Sequence, residues 1–157
     1  MYRRTLLAFA IICMMTSAAA AQVSISTLNQ LIQLVRLHTG VMHGPVRHSF
    51  LMPDGYKTRI EFGIDKKKVQ FLRLEIVGWI DGREIVKGKM VKSRSYYIAV
   101  YEDRGPDGNV DSMRPLPISR KDSNLLRAMF SDKDEHQENY EKHVLGLIMF
   151  LQSQPVL

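Results

Sequence analysis

Apolar side chains recur at every second position over residues 58–64 and again over residues 69–80. This period of two is typical of β-strands with one buried and one solvated face, because successive side chains of a strand point to opposite sides. The polar tip Asp65-Lys66-Lys67-Lys68 separates these stretches, and the turn sequence Pro53-Asp54-Gly55 precedes the first of them. Strands joined by tight turns pair antiparallel, so the centre of the chain predicts a β-meander.

Within the meander, Asp81-Gly82 predicts a hairpin turn, since glycine and aspartate tolerate the positive φ angles of a two-residue turn. We therefore expect residues 69–80 to pair with residues 83–91. A further strand is predicted over residues 95–101, which are rich in aromatic and β-branched side chains. A second hairpin is expected around Gly105-Pro106-Asp107-Gly108.

Apolar spacings of three and four predict an amphipathic helix before the meander. We expect this helix to begin at a cap formed by Ser24 or Ser26, to run to about Leu37 and to end at Gly40. Its apolar stripe comprises Ile25, Leu28, Leu31, Ile32 and Val35. A stripe of this kind is typical of a helix that covers a core.

The same spacing returns at the other end of the chain. A short helix is predicted over residues 124–130, and a longer one is expected after a cap at Ser131, with Asp134 and Glu135 in its first turn. The apolar positions of the longer helix are Tyr140, Val144, Leu147, Ile148 and Leu151. The predicted fold is therefore α+β: an N-terminal helix, an antiparallel meander of four to six strands, and a C-terminal helix packed on one sheet face.

Residues 1–21, MYRRTLLAFAIICMMTSAAAA, predict a secretory signal peptide. Arg3 and Arg4 form its positive segment, an apolar run follows, and small alanines precede Gln22. The apolar run is too short to span a bilayer. We therefore expect residues 22–157 to form a single exported domain, periplasmic or secreted, with no transmembrane segment.

Cysteine and charge limit the classes of protein further. The one cysteine, Cys13, lies in the predicted signal peptide, so the mature chain is expected to be free of disulfides and to depend on packing. Loss of Arg3 and Arg4 lowers Lys plus Arg from 22 to 20 against 16 Asp plus Glu, and the net charge from +6 to about +4. A moderately basic surface fits attraction to anionic envelope polymers or lipid headgroups, and it fits ordinary solubility as well.

The densest group of acidic residues lies around the second hairpin. When Asp103 is counted as position 1, side chains that carry oxygen atoms stand at positions 1, 5, 7 and 9. They are Asp103, Asp107, Asn109 and Asp111. Calcium takes about six to eight oxygen ligands, and over about a dozen residues this stretch resembles the Asp-rich loops of EF-hand and dockerin-type calcium modules. It departs from them at Gly105 and Arg114, where those loops supply oxygens. The resemblance implies a weak calcium site; a hairpin tip with solvated acids is the alternative.

Cations gather in the second half of the meander, where Lys87, Lys89, Lys92 and Arg94 are the predicted partner-binding residues. Trp79, Tyr96 and Tyr97 add aromatic side chains to the same stretch. A sheet with bases and aromatics binds nucleic acids or sugars. Because an exported protein is not expected to meet nucleic acid, we expect an envelope protein or an anionic polymer as its partner. The sequence leaves the oligomeric state open.

Residues 22–157 contain none of the motifs Gly-x-Ser-x-Gly, Ser-x-x-Lys or His-Glu-x-x-His. No catalytic residue is therefore assigned, and no cofactor besides the weak calcium ion. The leading hypothesis is an exported, soluble, non-enzymatic binding domain of the cell envelope. A calcium-stabilised module and a small periplasmic hydrolase are the alternatives.

Overall fold

The computed structural model describes residues 23–117 and 123–156 of the chain. The predicted signal peptide, residues 1–21, lies outside the described residues. The described elements follow in the order α1 Ile25–Thr39, β1 Val46–Leu51, β2 Lys57–Asp65, β3 Lys68–Val86, β4 Lys89–Arg104, β5 Ser112–Pro117, α2 Ser123–Met129 and α3 Lys133–Ser153. The predicted α+β class is confirmed. Among the described helices, none has the length and apolar character needed to cross a membrane.

The five strands form one sheet in which every strand pairs antiparallel with its neighbour in the chain. Tight turns produce this order. At the first turn, the Gly55 amide donates to the Met52 carbonyl oxygen at 2.9 Å. At the second, Lys66 and Lys67 adopt positive φ angles of 45° and 68°, as a two-residue hairpin turn of type I′ requires. The predicted meander is therefore confirmed.

The hairpin turn predicted at Asp81-Gly82 is wrong. Strand β3 continues through this dipeptide, with Asp81 paired to Arg94 across the sheet. The chain turns instead at Lys87-Gly88, where the φ angles are 50° and 75°. Either dipeptide can supply a two-residue turn, but only the later one places Asp81 opposite a cation and Trp79 opposite Tyr96.

This longer hairpin projects beyond the rest of the sheet. Strand β2 pairs with β3 only as far as Glu75, and β5 pairs with β4 only from Tyr97 onwards. Residues 79–96 therefore form a two-stranded arm, about 25 Å long at a rise of about 3.3 Å per residue. Among the described residues, no third strand pairs with either edge of the arm.

The core lies between one face of the sheet and the helices α1 and α3. The side chains of α3 that were predicted to be apolar contacts are all buried. Of the predicted stripe of α1, Ile25 is exposed and the other four residues are buried. Sheet residues that face the helices include Ile60, Phe62, Leu72, Leu74, Ala99 and Tyr101. Helices α1 and α3 thus cover one face of the sheet, as predicted, and the opposite face is the outer face.

The helix ends follow the capping rules with one correction. The Ser24 hydroxyl accepts from the Thr27 amide at 3.2 Å, and Gly40 ends α1 with a φ of 70°. The cap predicted at Ser131 is wrong by one residue. Asp132 caps α3 by accepting from the Asp134 amide at 2.9 Å, because its carboxylate also suits the positive end of the helix.

Candidate functional site

The outer face of the sheet carries a row of alternating charges. Arg47, Glu61, Arg73 and Glu102 lie opposite one another on four successive strands. Arg73 stands 3.4 Å from Glu61 and 3.1 Å from Glu102. In the neighbouring row, Arg59 pairs with Glu75 at 2.8 Å. These cations are matched by carboxylates, so the excess positive charge of the meander lies elsewhere.

Part of that excess lies at the β2–β3 turn, in Lys66, Lys67 and Lys68, and the rest lies on the arm. The structure brings the four predicted partner-binding residues together there, but it does not place them on one face. Lys87 lies in the turn, Lys89 points to the helix side, and Lys92 lies on the outer face. Arg94 is already engaged, since its guanidinium donates to the Asp81 carboxylate at 2.7 Å and lies 5.4 Å from the centre of the Trp79 ring.

A like-charged pair stands next to this ion pair. The register places Arg83 directly opposite Lys92 on the outer face of the arm. Like charges at directly opposed positions destabilise a sheet. The two residues line an open concavity of about 380 Å³ together with Asp81, Gly82, Ser93 and Arg94. An anion in this concavity would relieve the repulsion between Arg83 and Lys92. Arg83 was not among the predicted partner-binding residues, although its position opposite Lys92 follows once the turn is known.

Aromatic side chains gather at the base of the arm. The Tyr56 and Trp79 rings stack with their centres 5.6 Å apart, and the Tyr96 ring lies 5.9 Å from that of Tyr56. Tyr97, predicted to join this group, faces the helices and packs against Phe130 at 5.3 Å. Adjacent residues of a strand point to opposite faces, so Tyr96 and Tyr97 separate. Sequence reasoning missed Tyr56, which precedes β2.

The tip of the arm is apolar on both faces. Ile85 lies opposite Met90 on the outer face, and these side chains are 73% and 66% exposed. Val86 and Val91 lie on the other face and are also exposed. Exposed apolar side chains grouped at one end of a molecule indicate an interaction surface more strongly than scattered ones do.

The four residues of the predicted calcium loop are placed differently. The Asp103 side chain is fully buried and accepts from the Asp107 amide at 3.2 Å, the Gly108 amide at 3.0 Å and the Tyr140 hydroxyl at 3.0 Å. Burial raises the pKa of Asp103, and the two amides oppose that shift. This carboxylate holds the loop against α3 and is turned away from the solvent.

The remaining members of the predicted set also bind protein groups. The Asp107 carboxylate accepts from the Asn109 amide at 2.8 Å, and Asp111 accepts from the Arg104 amide. Within residues 23–117 and 123–156, no three His, Cys, Asp or Glu side chains converge as a metal ion would require. The calcium site stays a prediction, and it would require the Asp103 carboxylate to exchange its protein donors for the ion.

A glutamine that sequence reasoning did not single out fixes the same loop. The Gln137 side chain accepts from the Val110 amide at 2.9 Å and donates to the Gly108 carbonyl oxygen at 2.8 Å. It also donates to Glu141 one turn further along α3, at 2.7 Å. Such a contact has no local signal in the sequence, because it joins residues far apart in the chain. Gln137 therefore binds the loop to α3 in addition to Asp103 and Tyr140.

From these contacts we expect calcium to leave the stability of the protein unchanged. An ion that binds only the folded state raises the free energy of unfolding by about 2.7 kcal/mol when it is present at a hundredfold excess over its dissociation constant. Thermal unfolding in EDTA and in millimolar calcium measures this directly. A rise with calcium that magnesium does not reproduce, and that Asp107→Ala abolishes, would establish the predicted site and contradict our expectation.

His143 gives the fold a dependence on pH. Its ring is partly buried, with its centre 5.7 Å from that of the Tyr101 ring, and burial lowers the pKa of His143. Because the pKa is lowered in the folded state, the unfolded chain takes up the proton at a higher pH than the folded chain does. The contribution of neutral His143 to stability is therefore complete above the unfolded pKa of about 6.5 and is lost as the pH falls below it. When the pH is lowered from 7.5 to 5, the free energy of unfolding measured by chemical unfolding should fall less for His143→Gln than for the unchanged protein. Equal decreases would contradict the assignment.

Two regions of the molecule thus differ in what they offer to a partner. The loop of residues 103–111 turns its central carboxylate inward and is bound to α3. The arm presents cations, aromatic rings and apolar side chains to the solvent. The arm is therefore the candidate interaction site. Comparisons of this chain with protein-family models, curated proteins and solved structures found no match.

Proposed function

We propose that this protein is an exported, non-enzymatic binding domain of the cell envelope and that the arm holds an anionic partner. The observation that carries the proposal is the pair Arg83 and Lys92, two cations placed directly opposite each other beside an open concavity. A bound anion would convert this unfavourable pair into a favourable one. The site would then be complete only when the partner is present.

The distribution of charge supports the same proposal. On the body of the sheet, glutamates pair with the arginines of neighbouring strands. Between residues 83 and 92, four cations face a single carboxylate, that of Glu84. The arm thus carries a local positive potential that attracts anions, and the attraction weakens as salt increases. An anionic envelope polymer or an acidic surface of an envelope component fits this potential.

Export is the second part of the proposal. It is supported by the sequence of residues 1–21, with its two arginines, its short apolar run and its alanines. The hydrolase alternative gains no support from the outer face, because Glu61, Glu75 and Glu102 each pair with an arginine. Such cross-strand pairs are typical of the solvated face of a sheet.

Neutralising the arm tests the binding role. We expect the purified exported protein to be retained on immobilised dextran sulfate, and the variant in which Arg83, Lys87, Lys89 and Lys92 are changed to glutamine to elute at much lower salt. Arg94 is left in place because Asp81 already holds it. The reason for the expected loss is that each cation near an anionic surface contributes about 1 kcal/mol.

The matched control removes the same amount of charge elsewhere. It changes four lysines to glutamine. Lys66, Lys67 and Lys68 lie at the β2–β3 turn, and Lys133 lies at the start of α3. We expect this variant to be retained almost as strongly as the unchanged protein. Equal loss in both variants would show that only the net charge matters and would contradict the assignment to the arm. Unchanged retention of a folded arm variant would refute the proposal itself.

A further inference from the structure

We infer that the anionic partner of the arm is a lipid bilayer surface, and that the apolar tip enters the headgroup region while the neighbouring cations bind lipid phosphates. This inference rests on the proposed binding role of the arm and names the partner. It is carried by three observations on residues 79–96: the apolar pairs, the placement of the cations around them and the shape of the arm.

The apolar pairs are the first observation. Ile85 and Met90 project from one face of the tip, and Val86 and Val91 project from the other. A soluble polyanion would bind the cations and leave all four side chains in water. A protein that packs on one face would leave the other pair exposed. The boundary between headgroups and acyl chains surrounds whatever enters it, and so it buries both faces at once.

The cations are the second observation. On the outer face, Arg83 and Lys92 form the cross-strand pair next to Ile85 and Met90. On the other face, Lys89 lies opposite Val86. Their long stems can pack along apolar surface while the charged groups reach phosphates. Arg83 and Lys92 line an open concavity of about 380 Å³, and cationic groups beside such a space favour a phosphate. Lys87, in the turn itself, limits the depth, because its charge would be costly in the hydrocarbon core.

The shape of the arm is the third observation. The tip projects from the body as a two-stranded ribbon, so it can reach a surface before the helices do. Trp79, the one tryptophan of the chain, lies at the base of the arm, about 23 Å from Val86 at about 3.3 Å per residue. If the tip enters first, the natural tryptophan stays near or above the headgroups. This geometry makes the orientation of the arm measurable.

The first experiment measures co-sedimentation of the whole exported protein with vesicles of phosphatidylglycerol and phosphatidylcholine, and with vesicles of phosphatidylcholine alone. We expect binding to the mixed vesicles that the double change Ile85→Ser and Met90→Ser weakens by at least about tenfold. The matched control, Leu37→Ser with Met149→Ser, removes exposed apolar side chains from α1 and α3 and should bind like the unchanged protein. Equal binding of the tip variant and the unchanged protein would overturn the inference.

The second experiment reports the orientation. Vesicles that contain brominated lipids quench tryptophan at the depth of the bromine. We expect weak quenching of Trp79 in the unchanged protein and strong quenching when the fluorophore is moved to the tip by Ile85→Trp together with Trp79→Phe. Equal, weak quenching of both would overturn tip-first entry.

The two proposals fail in different ways. Retention on dextran sulfate without binding to anionic vesicles would overturn the lipid inference and leave the binding role of the arm intact, with a polymer as the remaining partner. Loss of the cations should weaken binding to both materials. If neither material binds the unchanged protein, the proposed function fails as well.

Discussion

Changing Asp103 to alanine should lower the free energy of unfolding by about 4 kcal/mol, since it leaves three donors without an acceptor and each buried donor of this kind costs about 1–3 kcal/mol. The donors are the amides of Asp107 and Gly108 and the hydroxyl of Tyr140. The Asp103 side chain is fully buried, so water cannot replace it without opening the loop. Urea unfolding of the variant and of the unchanged protein measures the loss.

The matched control is Tyr140→Phe, which removes one of the three donors and keeps the ring in the core. We expect a loss of about 1–1.5 kcal/mol, the usual net contribution of one hydrogen bond. The double variant should lose less than the sum of the single losses, because the two groups share a contact. Similar losses for Asp103→Ala and Tyr140→Phe would show that the loop amides find other acceptors, and would contradict the role assigned to Asp103.

Changing Gly108 to alanine should cost about 3 kcal/mol or more, a loss typical of strain at a special backbone position. The backbone there has a φ of 97°, which L side chains rarely adopt, and an added Cβ atom would lie 2.1 Å from the carbonyl oxygen of Val23. Val23 is itself buried in the core, so it cannot move away freely. The change would therefore separate the loop from Val23, which lies two residues before the start of α1.

Gly105, three residues earlier, supplies the control. Its φ is 63°, also positive, but no atom lies within 4 Å of the position that a Cβ would take. Gly105→Ala should therefore cost only the conformational penalty of a left-handed residue, about 1–2 kcal/mol. Thermal unfolding of the two variants distinguishes the cost of a positive φ angle, present in both, from the cost of the close approach to Val23, present only in Gly108→Ala. A Gly108→Ala variant as stable as Gly105→Ala would contradict the close approach to Val23.

Local patterns in the sequence predicted the elements well. The apolar alternation of residues 58–64 became β2, and the helical spacing of Tyr140 and Val144 became the buried side of α3. Ser24 and Gly40 marked the two ends of α1 because caps and left-handed residues act within one turn of the chain. Each of these features depends on neighbours in the sequence, which is why the sequence alone revealed it.

The errors arose where several local solutions compete. Both Asp81-Gly82 and Lys87-Gly88 suit a hairpin turn, and the choice depends on which register pairs the most favourable side chains across the strands. The cap at Ser131 failed for a similar reason, since Asp132 beside it is also a capping residue. Such choices are made by contacts that span the sheet or the helix junction, and spacing in the sequence does not show them.

The candidate site was predicted in composition but not in arrangement. The cations around Lys89 were recognised, but their division between two faces follows from the turn that was misplaced. Asp103 was predicted as a calcium ligand, which stays a prediction, and in the structure its carboxylate is turned toward Tyr140. Tyr56 joins the aromatic group because this loop residue stacks on Trp79 of β3, a contact that spacing in the sequence does not show. A single sequence does not show which way a side chain points or which residues far apart in the chain come into contact.

Within residues 23–117 and 123–156, both strand edges of the arm are unpaired, and this affects how the protein behaves in concentrated solution. An unpaired strand edge offers its backbone groups to any other strand, including the same edge of a second copy. The cations of residues 83–92 keep two such arms apart by repulsion. At about 1 M salt the Debye length falls to about 3 Å, and this protection disappears. Solubility should therefore decrease as salt is added.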